Sequence, residues 1–100
     1  MAHLDIYETP GRGGGYVVDV QASLLSHLNT RVVVPLLPRE SAPFPARGLN
    51  PVFEIAGIPH VLTTQFISAV RAAELGQPVG SLSAHRDEII RAIDVVLTGV

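Results

Sequence analysis

Histidines, a glycine-rich run and a serine–histidine cluster are the residues here whose types could do chemistry. The histidines are His3, His27, His60 and His85. A metal ion needs three or four convergent ligands. No two of these histidines stand four residues apart, and no Cys can join them. They read as scattered surface or partly buried side chains. Gly11–Gly15 (GRGGG) invites comparison with a phosphate cradle. It lacks the Gly-Lys-Ser/Thr end of a P-loop, and Tyr16 stands where a dinucleotide fingerprint has its third Gly. It also precedes a strand rather than a helix, so no helix dipole awaits an anion.

Ser81, Ser83 and His85 cluster near the start of a helical pattern. A Ser-His-Asp triad is assembled by folding and has no fixed spacing. The nucleophile-elbow pattern G-x-S-x-G is absent, and helix capping accounts for the serines more simply. Asp5, Glu8 and Asp19 could pair for acid–base work. On adjacent strands such acids read as a solvated face. The motif search therefore predicts no catalysis, no metal and no cofactor.

The elements that position these residues are mostly short strands. Leu4–Glu8 is the first. Tyr16–Gln21 (YVVDVQ) alternates, with Val18 and Val20 on one side and Asp19 and Gln21 on the other. That is the pattern of a half-buried strand. The glycine run between them predicts a long hairpin. Arg31–Leu37 (RVVVPLL) is β-branched and reads as a third strand. Its Pro35 cannot donate to a ladder, so it belongs at an edge, a bulge or a strand end. Val52–Ala56 and His60–Thr64 flank Gly57-Ile58-Pro59 and read as a second hairpin. Pro38–Pro45 (PRESAPFP) reads as a loop. Gln65–Leu75 fits a helix period but is short, and its conformation stays open.

The last element is the clearest. Ser83 is the expected N-cap of a helix running to Val100. Its apolar stripe is Ile89, Ile90, Ile93, Val96, Leu97 and Val100, the spacing of an amphipathic helix. Asp87 and Glu88 sit in the early turns, where the dipole favours acids. The chain ends on that apolar face with Thr98-Gly99-Val100. Val96, Leu97 and Val100 either pack on the sheet or form an interface, and the two are compatible.

Composition narrows the class. One hundred residues with 47% apolar content predict one globular domain over 1–100. The formal net charge is −2, with seven Arg and no Lys. That lacks the electrostatic footprint of a nucleic-acid binder. Charged residues are 16%, against about 25% in a typical domain. Such a low value points to surface covered by another chain. No signal peptide and no span of about 20 apolar residues is visible. A soluble cytoplasmic protein is expected, with no membrane partner.

Four blocks then carry a resemblance. They are VVDVQ (Val17–Gln21), RVVVPL (Arg31–Leu36), NPVFEIAG (Asn50–Gly57) with LTT (Leu62–Thr64), and LSAHRDEIIRAIDVVLTGV (Leu82–Val100). In order and spacing the chain resembles the CcdB family, toxins of plasmid and chromosomal toxin–antitoxin modules. The resemblance implies a mainly β (α+β) fold, an SH3-like small barrel of antiparallel strands with a C-terminal helix. It implies a two-fold homodimer that binds the A subunit of DNA gyrase and traps the gyrase–DNA cleavage complex. It also implies neutralisation by a CcdA-like antitoxin, with no chemistry done by the toxin. Within Gln65–Leu75 it implies a turn and then a strand near Val70–Leu75.

Carried over position by position, the gyrase-binding residues are Leu24, Leu25, Asp94, Leu97, Thr98, Gly99 and Val100. Toxic members of the family end in Trp-Gly-hydrophobic, and here Thr98 stands in place of the Trp. The region Pro38–Leu49 departs most from the family, on the antitoxin-facing side. Two alternatives follow. One is an inactive or retargeted relative that only binds antitoxin. The other is a MazF-like endoribonuclease on the same barrel, for which Arg12, Arg31, Arg39 and Arg47 are the cations of the first half.

Overall fold

The computed structural model describes residues 3–9 and 15–99. Seven strands are formed by Asp5–Glu8 (β1), Tyr16–Asp19 (β2), Thr30–Pro38 (β3), Val52–Ile55 (β4), Ile58–Leu62 (β5), Ser68–Arg71 (β6) and Gly80–Ser81 (β7). One α-helix, Arg86–Thr98 (α1), follows. The strands make one antiparallel sheet in the order β4-β5-β3-β2-β1-β7, with β6 also paired to β3. This curled half-barrel with a C-terminal helix is the expected fold class.

β3 is the hub. One of its edges pairs with β2, from Tyr16↔Leu36 to Asp19↔Val33. Its other edge is shared. β6 takes Thr30 to Val33, and β5 takes Leu36 to Pro38. Pro35 sits at the changeover between those partners. A missing N–H costs nothing there, and the Pro35 carbonyl accepts from the N–H and hydroxyl of Thr63 at 2.9 and 2.8 Å. Pro35 is therefore central in its strand, and the exchange of partners satisfies the rule that would send it to an edge.

β1 and β2 pair as the expected hairpin; residues 10–14, which hold most of the glycine run and Arg12, lie outside the described residues. β4 and β5 form the second hairpin. Its two-residue turn is Ala56-Gly57, with φ of 54° and 78°. Positive φ at both central residues is the type I′ geometry that matches strand twist. Ile58 and Pro59, expected in the turn, already belong to β5. β3 likewise runs on through Pro38. Residues 64–75 resolve into a 3-10 turn (Thr64–Phe66), β6 and a second 3-10 turn (Ala72–Glu74). The strand thus begins two residues and ends four residues earlier than Val70–Leu75.

The first three strands are buried on both faces. Beneath α1, Leu4, Ile6, Val18, Val34, Leu36, Phe53 and Leu62 pack with Leu82, Ile89 and Ala92. On the opposite face Tyr7, Val17 and Val33 pack with Leu75. This second cover overturns the half-buried reading of Tyr16–Gln21. Asp19 and Gln21 are buried, and Asp19 does not join a solvated acidic face with Asp5 and Glu8. By strand parity Glu8 points to the other side.

Asp19 is matched by Arg31 from β3. Arg31 Nε and Nη2 donate to Asp19 Oδ2 at 3.0 and 2.7 Å, with both side chains at 0% exposure. Removing one partner of such a pair strands a charge in the core. Arg31→Met is therefore expected to cost about 3–5 kcal/mol in denaturant unfolding. The double variant Asp19→Leu/Arg31→Met should recover part of that loss, less what the Gln21 N–H loses with its Asp19 Oδ1 acceptor.

Tyr7 is on the same face, and its hydroxyl has no hydrogen-bond partner among the described residues. Burial first, then the charges of Asp5 and Asp19, hold its phenol above the ordinary value, while Arg31 pulls the other way. The folded state thus keeps this proton longer than the unfolded chain. The contribution is complete below the ordinary value of 10.0 and is lost as pH rises through the raised one. Tyr7→Phe should leave neutral-pH stability within about 0.5 kcal/mol and flatten the alkaline decline in melting temperature.

Candidate functional site

The helix α1 is docked by its first half and free at its end. Ile89 and Ala92 are buried, and Ile93 packs at the edge of the core. Its start differs from the expected one. Ser83–His85 is a 3-10 turn, and α1 begins at Arg86. Ser81 Oγ accepts from Ser83 N at 3.1 Å, so Ser81 caps the lead-in and Ser83 is not the N-cap. The His85 ring lies tilted on Phe53, with centroids 4.8 Å apart.

Beyond Ile93 the stripe leaves the sheet. Val96 sits at the exposed margin and Leu97 is 69% exposed. The reading in which both pack on the sheet therefore does not hold. Thr98 Oγ1 donates to the Asp94 carbonyl at 2.8 Å, a bond one helical turn back. Gly99 ends the helix in the left-handed region at φ 80°, and its N–H donates to the Val95 carbonyl at 3.0 Å. A glycine takes that conformation without steric cost.

A second apolar group lies after β2. Residues 22–28 form successive tight turns, with Leu25 N–H on Ala22, Ser26 on Ser23 and Leu28 on Leu25, at 2.9 to 3.0 Å. Leu24 is 85% exposed, and Leu25 and Leu28 are also exposed. Of the residues expected to bind a partner, Asp94, Leu97, Thr98 and Gly99 share the end of α1, and Leu24 and Leu25 share this turn. All six are exposed. Val100 lies outside the described residues. Leu28 is an exposed apolar neighbour that sequence reasoning misses; its spacing of three from Leu25 is the available signal.

The other candidates are put to structural use or lie apart. His3 Nδ1 meets the Gln21 carbonyl at 3.2 Å. His60 is buried, with Nδ1 on the Ile58 carbonyl at 2.8 Å and its ring edge-on to Tyr16. Among the described residues no three His, Asp or Glu side chains converge as a metal set. No helix among them is long and apolar enough to cross a membrane. Of the cations weighed for RNA, Arg31 is buried against Asp19, with Nη1 left without a hydrogen-bond partner among the described residues, and Arg39 and Arg47 are exposed.

The Pro-rich loop is pinned at one end. Asn50 Oδ1 accepts from Ala46 N–H at 3.0 Å, and Nδ2 donates to the Leu62 carbonyl and Gln65 Oε1 at 3.0 and 2.8 Å. Two residues before Ala46, Phe44 is 96% exposed. Open clefts flank the start of α1 and this loop. One of ≈ 560 Å³ is lined by Ser83, His85, Arg86 and Arg91, with Asp87 and Glu88 among them. The end of α1 and the leucine turn carry exposed apolar side chains.

The described residues form a curled antiparallel half-barrel followed by a C-terminal helix whose end carries exposed apolar side chains. The CcdB protein family model matches residues 3–99, and the chain belongs to the CcdB family. Among solved structures it is similar to the Mycobacterium tuberculosis toxin MazF-mt6. The two are 14% identical at a TM-score of 0.76, over 93% of this chain and 95% of that one. At that identity the likeness is one of fold. No curated protein matches the chain by sequence.

Because the site side chains stand outside both cores, recognition and stability should separate. Leu24→Ala and Leu97→Ala are each expected to change unfolding free energy by less than about 0.5 kcal/mol. Ile89→Ala, four residues from Ile93 on the buried stripe, should cost about 2–5 kcal/mol in the same measurement.

Proposed function

We propose that the chain is a toxin of a toxin–antitoxin module that binds the A subunit of DNA gyrase and traps the gyrase–DNA cleavage complex. Its contact surface is the end of α1, with Asp94, Leu97, Thr98, Gly99 and Val100, joined by Leu24 and Leu25. It acts as a homodimer, does no chemistry itself, and is released by a CcdA-like antitoxin. The observation that carries this reading is the helix end of a CcdB family member left apolar and uncovered, with Leu97 69% exposed. Exposed apolar groups of this kind mark interaction sites. A binding poison needs a presented surface and no reacting group.

Purified protein added to the gyrase of its own host should inhibit supercoiling and raise double-strand breaks. The reading fails if the protein neither binds that gyrase nor arrests growth when expressed. An RNA-cleaving toxin is the competitor on the same fold. Intact cellular RNA after incubation at high protein concentration removes it.

Thr98 favours a second reading, a relative that binds antitoxin without toxicity. Its hydroxyl is turned back onto Asp94, so the side chain offers a partner little more than a methyl group. A Trp in such a place is commonly a hot spot worth about 2 kcal/mol, roughly thirtyfold in affinity. Thr98→Trp is expected to strengthen binding to gyrase on that scale without loss of melting temperature. Growth arrest that appears only in the variant would favour the second reading. Arrest by both, with the variant more potent, supports the first.

A further inference from the structure

We propose that Gln21 is the positioning residue of the leucine turn, holding Leu24, Leu25 and Leu28 in the conformation presented to the target. This inference rests on the proposed gyrase contact only for its second measurement. Gln21 is 6% exposed, although its sequence position reads as the solvent side of a strand. All four of its polar groups are engaged. Oε1 accepts from Val32 N–H of β3 at 3.0 Å, and Nε2 donates to the Leu25 carbonyl at 3.0 Å. Its own N–H donates to Asp19 Oδ1 at 3.0 Å, and its carbonyl meets His3 Nδ1 at 3.2 Å.

The side chain therefore ties a surface turn to the sheet. The Leu25 carbonyl is the key acceptor, because it also receives Leu28 N–H at 3.0 Å. One amide thus braces the centre of a segment whose other bonds in residues 22–28 are short-range turns. The leucines themselves are exposed and add little packing to hold it. Freezing such a segment on binding costs conformational entropy, and ordering it in advance removes that cost from association. A polar core residue that served stability alone would not need to reach the carbonyl between the two presented leucines and the third.

Gln21→Glu separates the roles. It keeps an oxygen for Val32 N–H and replaces the donor to Leu25 by an acceptor. The pH of the test matters because burial and the adjacent Asp19 carboxylate raise the introduced carboxyl, while Arg31 opposes them. With a proton that carboxyl can donate to Leu25 again, and the charged form cannot; about pH 5 and about pH 7.5 are chosen to favour the two forms. The wild type, with the same His3 against the residue 21 carbonyl, is the control at each pH.

Backbone order parameters by NMR on the full chain give the first measurement. At pH 7.5 in the variant, residues 24–28 should fall from about 0.85 to below about 0.6. Val18 and Val34 should stay rigid, and the turn should recover at pH 5. Affinity for purified gyrase gives the second, with an expected loss of about tenfold at pH 7.5. A turn that stays rigid, or one that loosens together with Val18 and Val34, overturns the proposal. So does a loosened turn with unchanged affinity. If Gln21→Glu does not fold, Gln21→Met, apolar and of similar length, is read in the same way without the pH arm. If the wild type itself binds no gyrase, the gyrase reading falls, and the order parameters still decide whether Gln21 holds the turn.

Discussion

The Asp19 carboxylate has two oxygens, and each governs a different part of the molecule. Oδ2 takes the Nε and Nη2 donors of Arg31, and Oδ1 takes the N–H of Gln21. The ion pair is sealed on a sheet face that Tyr7, Val17, Val33 and Leu75 cover. Burying two charges is expensive, and an apolar pair of equal volume is often as stable. What the ion pair adds is direction. A slip of one residue between β2 and β3 would turn Arg31 toward the helix and leave Asp19 unpaired. The pair thus penalises a one-residue slip of register. It acts where β2 ends and the leucine turn begins.

From that anchor the molecule divides into a part that is packed and a part that is presented. β1, β2 and β3 have a core on each side, so their side chains are committed. The helix is committed only as far as it overlies the sheet. Ile89, Ala92 and Ile93 reach the core, whereas Leu97 overruns it. The leucine turn likewise projects beyond the strand that Asp19 terminates. Both presented regions are extensions of well-anchored elements. Apolar groups can be offered to a partner there without loosening the fold, because the backbone beneath them is bonded independently of what they touch. The low share of charged residues has its explanation in these extensions and in Phe44.

How far the residues alone disclose this depends on which physical signal each element carries. β1, β2, β3 and the β4–β5 hairpin are legible because alternation and turn residues are local. α1 is legible because its stripe is long. Alternation shows that side chains point two ways, but not whether the second face is covered. The cover over Asp19 comes from Leu75, far along the chain, so Asp19 and Gln21 read as solvated and Arg31 as a free cation. Residues 65–75 are ambiguous in sequence because two tight 3-10 turns around a four-residue strand have no period to detect. At the site, the helix end follows from its own stripe, whereas Leu24 and Leu25 enter through family resemblance. Gln21 is hidden for the same reason as Asp19.

In the proposed reading, the substitutions that matter for target choice fall on the presented part. Thr98 spends its hydroxyl on the carbonyl of Asp94, inside its own helix, and touches neither core. Exchanging it would alter what a partner meets while leaving Arg31, Asp19 and the strand register as they are. The same separation explains how one half-barrel can serve toxins that share little sequence. The buried positions need only volume, alternation and a matched charge, whereas target specificity rests on a few exposed side chains. Family membership therefore constrains the backbone of this chain more tightly than its target. With the proposed contact surface, the chemistry of that target is read from the helix end and from the turn beside Gln21.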